Sequence, residues 1–186
     1  MTFQDRLSLA STHEEKVLRS IRKREWWVAC AYGQGMLSSE VRNHLRRNNT
    51  PLRWHPDILA VRSDDRRVVY GVDAKTEQRT DTAYFSIEKS ALAALHGWYS
   101  NWGTPVVIVW GDGSSNFTWD LLADDQNALR EGPYRGNGSG TSFWLWPKNR
   151  ARPFDDIFGE NAVIYGVDPH WSIEALRNVV SKKASA

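Results

Sequence analysis

Hydrophobic residues recur along the first 110 residues with two different periods, and this alternation predicts helices and strands in turn. Between residues 3 and 24 they return every three or four positions, which is typical of an amphipathic helix. The continuous apolar run 26–32 predicts a short buried strand. A second helix is expected from Ser38 or Ser39, whose hydroxyl groups can cap it, to about Asn48.

The next stretch predicts a β-hairpin, a helix and a further strand. β-Branched residues dominate 58–61 and 68–72, and the polar loop between them has the length and chemistry of a hairpin connection. A helical period then covers 86–102, and the run 105–110 has the composition of a buried strand. This order of elements indicates an α/β fold in which helices flank a mixed central β-sheet.

Beyond residue 111 the periodicity weakens. The elements predicted there are two strands, a glycine-rich mobile loop and a terminal helix, at residues 117–122, 141–146, 131–140 and 172–180. A chain of 186 residues is long enough for one well-buried core but short for two independent domains. We therefore expect a single globular unit with a core over 1–111. A C-terminal extension, 112–186, is expected to pack on that core and to serve specificity or dimerisation.

Composition narrows the class of protein. Hydrophobic residues make up 41% of the chain and charged residues 25%, which is typical of a globular domain. The single cysteine, Cys30, excludes an internal disulfide framework and a four-cysteine metal site. No apolar run approaches the ~20 residues that span a bilayer, and the N-terminus lacks a signal-peptide pattern. We expect an intracellular protein of bacterial or phage origin with no membrane partner.

Charge is distributed unevenly. Residues 16–79 hold 14 Lys and Arg against 7 Asp and Glu, whereas residues 80–186 hold 9 against 12. A basic face beside a catalytic site attracts a polyanion such as nucleic acid. The five histidines lack zinc-hydrolase spacing, and the chain has no phosphate-binding loop, so zinc hydrolysis and ATP consumption are not expected.

Acidic and basic side chains meet where the predicted hairpin ends. Alternation along a strand puts Asp73 and Lys75 on one face and turns Ala74 away. Antiparallel pairing brings Asp57 opposite residue 72 or 73. A four-residue turn would pair it with Val72 and send it to the other face, whereas an odd-length loop or a bulge restores the shared face.

Two neighbouring carboxylates are unfavourable unless a cation neutralises them. Oxygen ligands of this kind suit hard ions such as Mg²⁺ or Mn²⁺. Beside such an ion, the ammonium of Lys75 can orient a water molecule and offset charge that builds on a phosphate. The hairpin end is therefore a candidate catalytic centre.

This arrangement resembles the PD-(D/E)XK nuclease superfamily through Pro56-Asp57 and Asp73-Ala74-Lys75. The resemblance implies that Asp57, Asp73 and Ala74 hold a metal ion and that Lys75 assists the attacking water. It also implies a restriction-endonuclease-like core of helix, three strands, helix and strand over about residues 3–110. The helix predicted at 38–48 departs from that core.

Members of this superfamily often supply a further acid from the first helix, which here offers Glu14 and Glu15. At 100° per residue, Glu14 falls within the apolar stripe of the helix, and Glu15 lies near its edge. A carboxylate in an apolar stripe needs a partner such as a metal ion, so Glu14 is preferred as a catalytic residue and metal ligand. A salt bridge or a partly exposed glutamate is the competing interpretation.

The start of the helix at 86–102 resembles the segment after the catalytic lysine in archaeal Holliday-junction resolvases and related phage nucleases. Either Glu88 or Lys89 could contact metal or phosphate there, or the two could form an exposed pair on a capped helix. Further candidates for nucleic-acid contacts are the basic and aromatic residues Arg42, Arg46, Arg47, Arg53, Trp54, His55 and Arg79. An exposed helix face explains the arginines equally well.

Three hypotheses follow. The first is a Mg²⁺-dependent deoxyribonuclease, endo- or exonucleolytic, that cleaves DNA phosphodiester bonds with metal-activated water, and a homodimer is a further expectation. The second is a catalytically silent module of the same fold that binds nucleic acid or a protein. The third is an unrelated α/β domain in which Asp73 and Lys75 form an ordinary surface ion pair.

Overall fold

A computed structural model of the chain describes residues 3–33, 36–47, 55–64, 68–76, 83–123, 130–132 and 142–163. The helices of these segments are α1 (Phe3–Arg22), α2 (Ser39–Arg47), α3 (Lys89–Trp102), α4 (Thr118–Ala123) and α5 (Asp155–Phe158). The strands are β1 (Trp27–Ala31), β2 (Ile58–Arg62), β3 (Val69–Lys75), β4 (Tyr84–Glu88), β5 (Val106–Trp110), β6 (Ser115–Phe117), β7 (Arg130–Gly132) and β8 (Phe143–Pro147). None of the described helices is long and apolar enough to cross a lipid bilayer.

The main sheet has five strands in the order β1-β2-β3-β5-β6. β1, β2 and β3 form an antiparallel meander, β5 lies parallel to β3, and β6 pairs antiparallel with β5. The parallel pair requires a crossover, and α3 lies within it. This confirms the predicted α/β fold with a mixed central sheet flanked by helices.

Helices α1 and α3 pack against opposite faces of the main sheet. On one face, Val72 and Val107 share a buried cluster with Ile21 of α1. On the other, Ile108 packs with Leu92 of α3. β5 is buried along its whole length because it is covered on both faces, which explains its unbroken apolar sequence. The sheet is therefore held rigidly where β3 and β5 end.

Strand β3 runs from Val69 to Lys75, so Asp73-Ala74-Lys75 ends it, as the sequence predicts. It continues to Lys75 because its last three residues pair with β5, Asp73 opposite Ile108 and Lys75 opposite Trp110. This pairing holds the acidic and basic side chains at the end of a central strand.

The predicted helix at 86–102 begins too early in the sequence. Residues 84–88 form strand β4, and α3 begins at Lys89. Phe85 and Ile87 are buried while Ser86 between them is exposed, which is strand alternation. β4 is paired with β8 in a second sheet of order β4-β8-β7, and this distant pairing overrides the local helical pattern.

The strand predicted at 117–122 is also wrong. β6 ends at Phe117, and Thr118–Ala123 is helix α4. The Phe117 N–H donates to a carboxylate oxygen of Asp120 at 3.1 Å, which is one half of a capping box. That contact starts a helix where the residue composition suggested a strand.

The remaining C-terminal predictions have mixed outcomes. The strand predicted at 141–146 is confirmed as β8. The loop predicted at 131–140 begins instead within strand β7, and its residues 133–140 lie outside the described residues. The helix predicted at 172–180 also lies outside them.

Candidate active site

The register between β2 and β3 decides whether the two aspartates share a face. Ile58 lies opposite Val72, and Val61 lies opposite Val69. An odd number of residues therefore separates the paired positions Val61 and Val69. Continuing the same register by one step places Asp57 opposite Asp73. Residues that lie opposite one another in an antiparallel pair project to the same face, so both carboxylates point to one side of the sheet.

Asp57 is fixed at both its side chain and its backbone. Its Oδ2 accepts the backbone N–H of Ala74 at 2.8 Å. Its carbonyl oxygen accepts the N–H groups of Tyr32 at 2.8 Å and of Gly33 at 3.0 Å. A Cβ at Gly33 would lie 2.7 Å from the Cα of Asp57, so the chain needs glycine for this close approach.

Asp73 and Lys75 form a close ion pair. Their Oδ2 and Nζ atoms lie 2.6 Å apart, and the side chain of Asp73 is 6% exposed while that of Lys75 is 27% exposed. The aspartate therefore lies inside the site, and the lysine reaches it from the solvent side. Such a pair keeps the ammonium group charged and pointed at the carboxylates.

The electrostatics of the site reveal a group of mutually repelling carboxylates. Burial raises the pKa of Asp57 well above its usual range, and the charge of Asp73 raises it further. Burial also raises the pKa of Glu14, again reinforced by Asp73. Burial lowers the pKa of Lys75, but Asp73 and Asp57 outweigh this effect and leave that pKa raised. Lys75 therefore offsets only part of the negative charge that Asp57, Asp73 and Glu14 carry when all three are ionised.

The structure distinguishes the two glutamates of α1. Glu14 is partly buried and lies within electrostatic reach of Asp73 and Lys75. Glu15 is exposed, with its Oε1 3.5 Å from the Nη2 of Arg19. The interpretation of an ordinary surface salt bridge therefore fits Glu15, and the position of Glu14 fits a part in the site.

The donor set fits a hard divalent cation that keeps part of its water shell. The carboxylates of Asp57 and Asp73 share a face, and Ala74 can add its main-chain oxygen. In the described segments no group of three His, Cys, Asp or Glu side chains could hold a metal ion by itself. Mg²⁺ needs less, because it is usually bound by one or two carboxylates and several waters.

Comparison with solved structures gives two similar folds. The Holliday junction resolvase Hjc of Archaeoglobus fulgidus, an archaeal hyperthermophile, is 12% identical over 80% of this chain and 98% of its own, with a TM-score of 0.45. The nuclease D212 of a fusellovirus is 10% identical over 85% of this chain and 91% of its own, with a TM-score of 0.50. No protein-family model and no curated protein matches the sequence.

The chain shares the fold of the nuclease D212. Within it, Pro56-Asp57 stands at the start of β2, and Asp73-Ala74-Lys75 ends β3. Gly71 is packed tightly against the same motif, because a Cβ there would lie 2.7 Å from the Cγ of Pro56. The fold predicted from the motif is confirmed.

Glu88 and Lys89 lie where β4 ends and α3 begins, with Glu88 as the N-cap residue of α3 and Lys89 as its first residue. Glu88 ends β4 and adds to the raised pKa of Lys75, so it borders the site. The Nζ of Lys89 lies 4.2 Å from the ring centroid of Trp144 in a cation–π contact. The Lys89 side chain therefore packs against strand β8 of the second sheet.

The residues predicted to contact nucleic acid are spread more widely. On α2, Arg42 is partly exposed and Arg47 is exposed. His55 is partly buried, and its ring lies 5.8 Å from that of Tyr32 and 5.2 Å from that of Trp98. The remaining candidates lie outside the described residues or have side chains outside them: Arg46, Arg53, Trp54 and Arg79.

The sequence-based prediction missed Tyr32 and Gly33 as parts of the site. They were assigned to the end of a strand and to a turn, yet their N–H groups hold the backbone of Asp57. The Gly33-Gln-Gly35 spacing signals a turn but does not show which distant residue the turn approaches.

Proposed function

We propose that this chain is a metal-dependent nuclease that hydrolyses phosphodiester bonds of DNA. The observation that carries the proposal is the β2–β3 register, which puts Asp57 and Asp73 on one face beside Lys75. The fold adds support, because D212, which shares it, is a nuclease.

The residues of the site have two proposed roles, metal binding and orientation of the attacking water. Asp57, Asp73, the main-chain oxygen of Ala74 and Glu14 would hold Mg²⁺ or Mn²⁺. When bound, the ion supplies Lewis-acid polarisation of the phosphate and a water of lowered pKa. Lys75 donates a hydrogen bond to the attacking water and offsets charge that develops on the phosphate oxygens. Its ion pair with Asp73 keeps its ammonium aimed at that position.

The proposed partner is DNA, held in part by Arg42 and Arg47 of α2, with a two-fold homodimer as the arrangement that would cut two strands. The described fold leaves β1 as one edge of the main sheet. Residues 112–186 are proposed to contribute to specificity or dimerisation.

The first prediction tests catalysis by Lys75. Linear, circular, branched and single-stranded DNA are incubated with Mg²⁺ or Mn²⁺, with EDTA as the metal-free control. We expect the wild type to cut at least one substrate only with metal present. Lys75→Ala is expected to lower the rate by about 100-fold or more, because it removes stabilisation of transition-state charge.

Lys148→Ala is the matched control for this experiment. It removes a lysine whose Nζ lies 5.3 Å from the ring of Phe85 on the second sheet. We expect its cutting rate to match the wild type. Binding of DNA without cutting by the wild type would favour the silent module instead, and a Lys75→Ala variant that cuts normally would rule out the assigned role.

A further inference from the structure

A cleft of about 460 Å³ lies between α1 and the turn that follows β5. His13 and Lys16 of α1, with Lys23 just past the end of that helix, line one wall, and Gly111 and Asp112 line the other. A volume of this size is within the range of about 300–1,000 Å³ seen for ligand sites. The nucleic-acid contacts predicted from the sequence include none of these five residues.

The lining of this cleft, called the α1 cleft below, is cationic. Lys16 and Lys23 are both exposed, and neither forms an ion pair with another described residue. Asp112 is the acidic member of the described lining, and its Oδ1 accepts the hydroxyl of Ser114 at 2.6 Å. Both lysines therefore lie on the same side of α1 and its C-terminal end, where they can contact an anionic ligand.

Arg24 and Phe154 complete the cleft at its far end. The guanidinium of Arg24 lies 5.7 Å from the ring centroid of Phe154, and its Nε donates to Asp155 at 3.0 Å. Arg24 is thus partly neutralised and fixed. The Arg24 guanidinium and the Phe154 ring together form a surface, part cationic and part apolar, against which a sugar or base can pack.

The α1 cleft lies at the same end of the parallel β3–β5 pair as the candidate active site. His13, on its wall, precedes Glu14, which lies within electrostatic reach of Asp73. Gly111 follows Trp110, and Trp110 lies opposite Lys75 in the parallel β3–β5 pair. A chain leaving the site over the end of β5 would enter the cleft.

The spacing of the lysines suits a polymer. Lys16 and Lys23 are seven positions apart, which is about two helical turns or 10 Å. A nucleic-acid strand rises about 3.4 Å per nucleotide, so this distance corresponds to about three nucleotides. Lysine contacts at this separation match two phosphates about three nucleotides apart on one strand better than a single small anion.

We propose that the α1 cleft binds the sugar–phosphate backbone of the nucleic-acid strand next to the scissile bond. This inference rests on the proposed nuclease function and adds a site for the substrate beyond the reacting phosphate. Lys16 and Lys23 contact phosphates, and Phe154 with Arg24 packs against the sugar or base.

The test measures binding of fluorescently labelled DNA by anisotropy in EDTA over a series of salt concentrations. The variants are Lys16→Glu, Lys23→Glu and their combination. Arg19→Glu is the control, since it makes the same charge change on the same helix outside the cleft lining. Each lysine that contacts a phosphate contributes about one unit to the salt dependence.

We expect the double variant to bind DNA at least about tenfold more weakly than Arg19→Glu and with a salt slope smaller by about two. Circular dichroism melting confirms that each variant is folded. A double variant with the affinity and slope of Arg19→Glu would overturn the proposal. So would competition by inorganic phosphate or a mononucleotide at concentrations comparable to those of the DNA, which would indicate a small-molecule site.

The two proposals fail separately. A wild type that cuts DNA, together with a double variant that binds normally, removes the α1 cleft assignment and leaves the nuclease function standing. A wild type that binds DNA through Lys16 and Lys23 but cuts none of the substrates removes the nuclease function and leaves the α1 cleft as a DNA-binding site only.

Discussion

At the scale of single residues, positions with the same side chain have different environments. Glu14 faces the site, where burial and Asp73 raise its pKa, while one position later Glu15 pairs with Arg19 in solvent. Gly33 approaches the backbone of Asp57, whereas Gly97 has nothing within 4 Å of an added Cβ. Each pair supplies a matched comparison.

The second prediction compares the two glutamates. Glu14→Gln is expected to reduce metal-dependent cutting by about 10- to 100-fold, the usual cost of disturbing a metal's ligand environment. Glu15→Gln is expected to leave the rate within about twofold, because an exposed ion pair contributes little. Initial rates at saturating and at limiting Mg²⁺ check both. Equal rates for the two variants would count against Glu14 as a ligand.

The third prediction compares two glycines. Gly33→Ala is expected to lower the free energy of unfolding by about 1–3 kcal/mol, because the new Cβ would meet the Cα of Asp57 at 2.7 Å. Gly97→Ala, inside α3, is expected to raise it by about 0.5–1 kcal/mol by restricting the unfolded chain. Urea unfolding measures both, and changes of the same sign would contradict this account of the site.

At the scale of elements, the boundaries follow from contacts distant in sequence. β3 continues to Lys75 because β5 pairs with it, and residues 84–88 are a strand because β8 does the same. The helix α4 starts at Thr118 because Asp120 caps it. The periodicity of each segment predicted the elements buried on one stripe, such as α1, better than those decided by pairing.

The fourth prediction concerns the start of α4. Asp120 accepts the Phe117 N–H at 3.1 Å and pairs with Arg152 at 2.9 Å. Asp120→Ala is expected to lower the free energy of unfolding by about 1–2 kcal/mol, the usual cost of losing a cap. Asp156→Ala, an exposed aspartate in the first turn of α5, is the control and should cost less. Thermal melts distinguish the two, and equal losses would argue against the cap.

At the scale of the whole molecule, the candidate site lies where elements from distant parts of the chain converge. Glu14 comes from α1, Asp57 precedes β2, and Asp73 ends β3. The two helices that cover the sheet hold these positions rigid, so carboxylate repulsion is retained in the folded state rather than relieved by movement. The free energy of folding is therefore less favourable when these carboxyl groups are charged.

The fifth prediction is a pH dependence of stability. The folded-state pKa values of Asp57 and Glu14 are raised. Between the unfolded and the folded pKa values, the folded state therefore binds more protons than the unfolded state. Their contribution to stability is fully present below about pH 4, where unfolded carboxyls titrate, and is lost as pH rises through the raised values. In EDTA, we expect the wild type to lose more stability towards neutral pH than Asp57→Asn.

Added Mg²⁺ should reverse this loss, because a ligand that binds the folded state stabilises it by mass action. Melting temperatures from pH 5 to pH 8, with EDTA or with Mg²⁺, measure the effect for both proteins. Identical pH profiles for the wild type and Asp57→Asn would show that the carboxylate repulsion does not affect stability. An equal gain from Mg²⁺ in both would show that Asp57 does not bind the ion.

The sequence by itself determined the fold class, the motif residues and, apart from β4, the helix–strand order of the first 110 residues, because burial periodicity and residue chemistry are local properties. It left open whether Asp57 and Asp73 share a face. The tertiary structure decided that through the pairing of Val61 with Val69 across an odd number of residues, since one residue of register moves a side chain to the other face. The tertiary structure also creates the α1 cleft, because its two walls are about 90 residues apart in sequence and meet only when the chain folds.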